Sequence, residues 1–158
     1  MRARIVVAWS AALGLLVIGA VGVAVTYGAW TACAGDQTTE LCLRAMDQPS
    51  HLGALQLLWL LAVGLCAAAV AGARRGTARV LAASALLLVI VMNYATEYLL
   101  WLGFAGGHWD VPPGTGYTQA LAYIVAGAFS VAAAVLSGRA SGVNGGGVSV
   151  ARGAGPRL

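Results

Sequence analysis

Three stretches of this chain, 5–29, 52–73 and 117–138, carry no Asp, Glu, Lys or Arg. Each exceeds the roughly 20 residues that an α-helix needs to cross a hydrocarbon core about 30 Å thick. A fourth runs uncharged from Val80 to Thr96, meets Glu97 and continues as YLLWLGF, so it covers 80–102 with Glu97 close to one interface. The runs are continuous and do not alternate with period two, which argues against a β-barrel. The fold expected is an all-α membrane protein, a four-helix transmembrane bundle over residues 1–138, followed by a flexible cytoplasmic tail over 139–158. Only 9% of the 158 residues are charged, against roughly 25% in soluble domains, and no stretch is left for a large aqueous catalytic domain.

The charges orient the bundle. Arg2 and Arg4 precede the first span; Arg74, Arg75 and Arg79 lie between the second and third; Arg139, Arg152 and Arg157 follow the fourth. Arg44 alone shares the other side with all five acids, Asp36, Glu40, Asp47, Glu97 and Asp110. The positive-inside rule then places both termini in the cytoplasm. The net charge of +4 is a topology signal, and without a basic helix or interleaved aromatics nucleic acid is not an expected partner. A chain rich in Ala, Gly, Val and Arg but without lysine matches a GC-rich genome, so the expected location is the plasma membrane, multi-pass, as in a bacterial inner membrane. The first span is too long for a cleaved signal peptide, whose apolar region runs about 7–15 residues. A lipoprotein reading of WTAC at 30–33 fails because Trp30 stands where a lipobox has Leu or Val.

Cys33 and Cys42 lie in the outer loop between spans one and two, while Cys66 sits in the apolar middle of span two. On an oxidising face the first two are expected to pair, stabilising the loop by about 2.5–3 kcal/mol in the chain-entropy model. Cys66 reads as a small buried hydrophobe. A loop pair at similar spacing also resembles that of the family of vitamin K epoxide reductase, which implies thiol–disulfide exchange; that family needs an additional C-x-x-C, which this chain lacks. Tyr27-Gly28-Ala29-Trp30-Thr31-Ala32-Cys33, with Cys42 beyond, resembles the W-x-x-C…C signature in the first outer loop of claudin-type four-helix membrane proteins. That resemblance covers about 16 residues and implies cytoplasmic termini, a disulfide in the first outer loop and an adhesive or accessory role resting on Trp30, Cys33 and Cys42. The sequence departs from it in the Ala before Trp30 and in a loop too short for the family's extracellular sheet.

Within the bilayer, Asn93 and Glu97 are four apart and share a helix face, beside Tyr94 and Tyr98. An intramembrane carboxylate is a proton- or cation-site hypothesis, but the shallow depth of Glu97 favours a structural bond to Tyr117, Gln119 or Tyr123. Small residues at every fourth position, Ala122, Ala126, Ser130, Ala134 and Gly138 in span four and Gly64, Ala68 and Gly72 in span two, permit close helix approach, first within the bundle and alternatively at a partner face. Ten of the twelve aromatics fall in the outer half, so a packed cap or a recognition surface is expected there. Trp30, His51, Tyr98, Trp101, His108, Trp109 and Asp110 are the candidate outer-face binding residues. No H-x-H, H-E-x-x-H or C-x-x-C spacing suggests a metal, and no cofactor is expected.

The function these features predict is that of a non-enzymatic accessory, assembly or binding subunit. It would work through disulfide-pinned outer loops, with the lipid bilayer and a membrane-protein partner or second copy as its neighbours. The alternatives are a small transporter component using Glu97, or a membrane thiol–disulfide redox protein using Cys33 and Cys42.

Overall fold

A computed structural model of the chain describes residues 2–73, 76–104 and 111–143. His108, Trp109, Asp110 and the tail beyond Val143 lie outside the described residues. Those described are all-helical: α1 (Arg2–Trp30), a 3-10 turn at Thr31–Cys33, α2 (Glu40–Asp47), α3 (Leu52–Gly72), α4 (Thr77–Val91), α5 (Tyr94–Phe104) and α6 (Tyr117–Val143). Proline sets two of the starts: Pro49 stands just ahead of α3, and Pro112 and Pro113 just ahead of α6. None of these three interrupts a helix, where a missing N–H and a ring clash would break it. The tail expected to begin at 139 starts as helix, since α6 continues to Val143.

Three helices, α1, α3 and α6, are long and apolar enough to cross a membrane, and α4 with α5 passes the same test as a bent pair. The uninterrupted segment expected over 80–102 is therefore two helices, bent by 57° at Met92–Asn93. α1 packs against α3 and α6, and α4 packs against the same two, whereas α5 touches little besides the start of α6.

Small side chains fill the centre. Ala62, Cys66, Ala85 and Ala126 surround Leu15, Val89 and Tyr123 in one buried cluster, and Ala11, Ala69, Ala78, Ala82 and Ala133 form a second. Of the repeated small residues in α6, Ala122, Ala126, Ser130 and Ala134 are all buried. That stripe is used within the molecule. In α3 the repeat divides: Gly72 lies against the backbone of Arg4 and Ala8, while a Cβ on Gly64 would meet open space.

The closest approach joins α1 to α6. A Cβ on Gly19 would lie 2.5 Å from Ile124 Cγ1 and 3.2 Å from the carbonyl of Ala120, and one on Gly127 would lie 2.8 Å from Leu16 Cδ2. Each helix thus offers a glycine to the other, which lets the backbones come near enough for dispersion contacts along their length.

Candidate functional site

At the end of the helices that carries the disulfide, the connections form a cap. Cys33 and Cys42 are bonded, with Cα atoms 4.8 Å apart. They pack with Trp30 into a small cluster that takes in Ala45, Met46 and Val111. Thr39 caps α2 by accepting the amide of Cys42 at 3.3 Å, and the amide of Val111 donates to the Met46 carbonyl at 3.2 Å. The disulfide thus anchors α2 to α1, and α2 holds the strand of chain entering α6. An exposed Arg44–Glu40 pair, 2.6 Å apart, adds little, because surface pairs of this kind are worth a few tenths of a kcal/mol. Asp36 accepts from the amide and hydroxyl of Thr38 at 2.8 and 2.6 Å. These bonds hold its carboxyl below the ordinary range. Between Trp30 and His51 the chain forms only the 3-10 turn and α2, with no strand.

Replacing Cys33 and Cys42 together by serine is expected to cost about 2.5–3 kcal/mol, the value for releasing a loop of about ten residues. The check is the melting temperature of the detergent-solubilised protein, native against double variant. An unchanged melting temperature would show that the pair is dispensable to the cap.

Thr115 is the knot of the cap. Its carbonyl accepts from Trp30 Nε1 at 3.1 Å and faces His51 Nε2 at 3.3 Å. A carbonyl only accepts, so Nε2 of His51 must carry the proton. The two rings meet edge to face, with centroids 5.0 Å apart. Trp30 and His51 are 5% and 7% exposed, so these two candidates form the inside of the cap. Burial pushes the His51 imidazole below its ordinary value, opposed by the bond to Thr115. The unfolded chain, with an imidazole near 6.5, then binds the proton more readily than the folded one. Stability is full above about pH 6.5 and declines as the pH falls below it. His51→Gln is expected to flatten that decline in a series of melts from pH 7.5 downward. A slope identical to that of the native protein would remove His51 as its source.

Gly116 follows directly, with φ +111°. A Cβ there would stand 2.7 Å from Leu55 Cδ1 and 2.8 Å from Thr26 Oγ1, so both the conformation and the space require glycine. Its amide donates to Glu97 Oε2 at 3.0 Å, and the hydroxyl of Thr118 also bonds that carboxylate. Glu97 is therefore held by the residues on either side of Tyr117. These partners replace the expected Tyr117, Gln119 or Tyr123, of which Gln119 and Tyr123 bond each other.

Below the cap, neighbouring helices repair the break between α4 and α5. In an unbroken helix the amides of Asn93, Tyr94 and Ala95 would donate to the carbonyls of Val89, Ile90 and Val91. Here the Asn93 amide turns to Val91 at 3.1 Å, and the freed Val89 carbonyl accepts Trp59 Nε1 at 2.8 Å. The Tyr94 amide donates to Gln119 Oε1 at 2.7 Å, and that of Ala95 to Asn93 Oδ1 at 2.9 Å. Asn93 thus opens α5 as its capping residue and does not share a helix with Glu97. Gln119, fully buried, also donates through Nε2 to the Leu55 carbonyl at 2.9 Å and to the Tyr123 hydroxyl. One amide side chain thereby ties α3, α5 and α6.

Among the remaining candidates, Tyr98 is half-buried and engaged, while Trp101 is 41% exposed. Cys66, buried in the core cluster, is the only free cysteine. Among the described residues no group of three or more His, Cys, Asp or Glu is placed to hold a metal ion. Sequence reasoning missed Trp59, Thr115 and Gly116; the signal available was the paired glycines in PPGTG. No family model, no curated protein and no solved structure matches this chain.

Proposed function

We propose that the protein is a four-span integral membrane protein of the plasma membrane, with both termini cytoplasmic, serving as a non-enzymatic accessory, assembly or binding subunit. Its working surface is the disulfide-pinned cap. The observation that carries this reading is the contrast inside the cap: Cys42 is fully buried while its neighbours Leu41 and Leu43 are 70% and 51% exposed. A short polar loop is thus fixed by a covalent bond and by Thr115, and it holds out two leucines. Exposed apolar side chains on a rigid support mark contact surfaces.

The membrane part of the reading rests on an inverted packing. Alanines are inside, while Val6, Leu13, Val17, Leu57 and Leu60 stand more than half exposed, a surface suited to lipid. α4 rises about 22 Å, short of a 30 Å core, and the 11 residues of α5, inclined at 57°, add about 9 Å along the same direction. Together they reach across as one bent span, the fourth of the set. The cytoplasmic termini rest on the arginine distribution.

Transport through Glu97 is the weaker reading because its carboxylate is committed to the Gly116 amide. Thiol exchange is weaker because Cys33 and Cys42 have no second dithiol to pass electrons to. Purification in mild detergent under several growth conditions tests the proposal. A co-purifying membrane protein whose capture is lost in Leu41→Asp with Leu43→Asp supports it. A monomer with no stoichiometric companion overturns it.

A further inference from the structure

Beside the cap lies a cleft of about 250 Å³ whose walls are Tyr27, Trp30, Tyr117, Pro113 and Gly114, with Thr31, Cys33 and Ala34 of the turn after α1. A water occupies roughly 30 Å³ in the liquid, so the cleft admits an organic group several waters in size. Three aromatic residues from α1 and the start of α6 contribute to it. Tyr27 and Tyr117 are 64% and 39% exposed, and the Trp30 indole is held by its bond to Thr115. Among the described residues none that lines it is charged.

We propose that this cleft binds a methylated ammonium group of the trimethylammonium class. Aromatic faces attract cations through the ring quadrupole. The field around the cleft has the matching sign: among the described residues the cap and its connections carry Asp36, Glu40, Asp47 and Glu97 against Arg44 alone, and that arginine is paired with Glu40. Asp36 is two residues from the rim residue Ala34, within about 7 Å along the chain, and the bonds from Thr38 keep it ionised. The same features select among cations. A lysine ammonium or an arginine guanidinium must find acceptors for its N–H groups when it leaves water. The lining offers no carboxylate, and the Thr31 hydroxyl is spent on the Gly28 carbonyl at 2.9 Å. A quaternary ammonium has no N–H and needs only ring faces around its methyl groups. The group can belong to a free solute or to a lipid headgroup, and Tyr27, near the outer end of α1, is within reach of both.

The proposal refines the binding role suggested for the cap and uses the same face, yet it needs no protein partner, so a failed co-purification leaves it standing. The test is calorimetric titration of the full-length protein in nanodiscs of phosphatidylglycerol with choline and with its neutral isostere 3,3-dimethyl-1-butanol. Choline is expected to saturate and the isostere to bind at least about ten-fold more weakly. Tyr27→Ala is expected to weaken choline about three- to ten-fold, as the loss of one cation–π contact, and Tyr27→Phe to restore it, because the ring face remains. Asp36→Asn should cost about two-fold at low salt and less at high salt. In nanodiscs of mixed lipid, enrichment of phosphatidylcholine around the native protein but not the Tyr27→Ala variant would identify a headgroup as the source. Saturation by free choline alone would identify a solute. Equal binding of choline and its isostere overturns the proposal, as does the absence of both choline binding and phosphatidylcholine enrichment in protein that melts normally.

Discussion

Gly19→Leu is expected to abolish the native packing of α1 against α6, lowering stability by more than about 3 kcal/mol. The β-carbon alone would overlap Ile124 Cγ1 and press on the Ala120 carbonyl and the Ile124 amide, at 3.2 and 3.1 Å. Ile124 can rotate away, but the backbone groups of α6 cannot. Leucine adds three further carbons to that overlap, and overpacking typically costs about 1–3 kcal/mol, occasionally more, through off-rotamer side chains and backbone shifts. Because Thr115 and Gly116 lead directly into α6, which carries Gln119 near its start, the cap should loosen with it. The measurement is thermal unfolding in detergent together with the reactivity of Cys66, buried in the native core, towards a thiol reagent. Gly64→Leu, where a Cβ meets nothing within 4 Å, is the control and should be nearly neutral. Equal melting of the two variants would contradict the interface described.

Gln119→Leu is expected to cost about 2–4 kcal/mol despite being nearly isosteric. The substitution strips a partner from the Tyr94 amide and removes the donors to the Leu55 carbonyl and the Tyr123 hydroxyl. A buried polar group left unsatisfied costs about 1–3 kcal/mol, and in lipid the reference state recovers part of this. Gln119→Glu separates bonding from shape: it keeps an acceptor for Tyr94 but loses the paired donors. Hydrogen exchange at the start of α5 should rise in the Leu variant and stay protected in the Glu variant. Unchanged exchange in both would mean that the start of α5 does not depend on Gln119.

Lengths and apolar runs were legible in the sequence because each long helix contains an apolar stretch of about 20 residues or more that no charge interrupts. Residues 52–73 became α3 at 52–72, and 5–29 became the centre of α1. The break at Met92–Asn93 was not legible. Its residues, VMNYA, contain neither Pro nor Gly, and the bend depends on bonds from Trp59 and Gln119, 30 residues before Val89 and 25 after Tyr94. Periodicity cannot report a partner so far along the chain. The same holds for the cap: Cys33 and Cys42 announced their pairing by spacing and side, but the role of His51 required Thr115, 64 residues away. Gly19 and Gly127 went unread because a glycine in an apolar run looks alike whether it faces lipid or a neighbouring backbone.

The repair of the α4–α5 break also bears on the order in which the chain is assembled. A segment comprising 77–104 on its own lacks both the bond that Trp59 donates to the Val89 carbonyl and the acceptor that Gln119 offers the Tyr94 amide. In hydrocarbon it would recover them by closing into one straight helix. If the chain spans the membrane as proposed, the bend can arise only once the segments before and after it are beside it, which makes 77–104 the last segment to take its final shape. On that reading insertion of the helices precedes the kink, and the kink records that the neighbours have arrived.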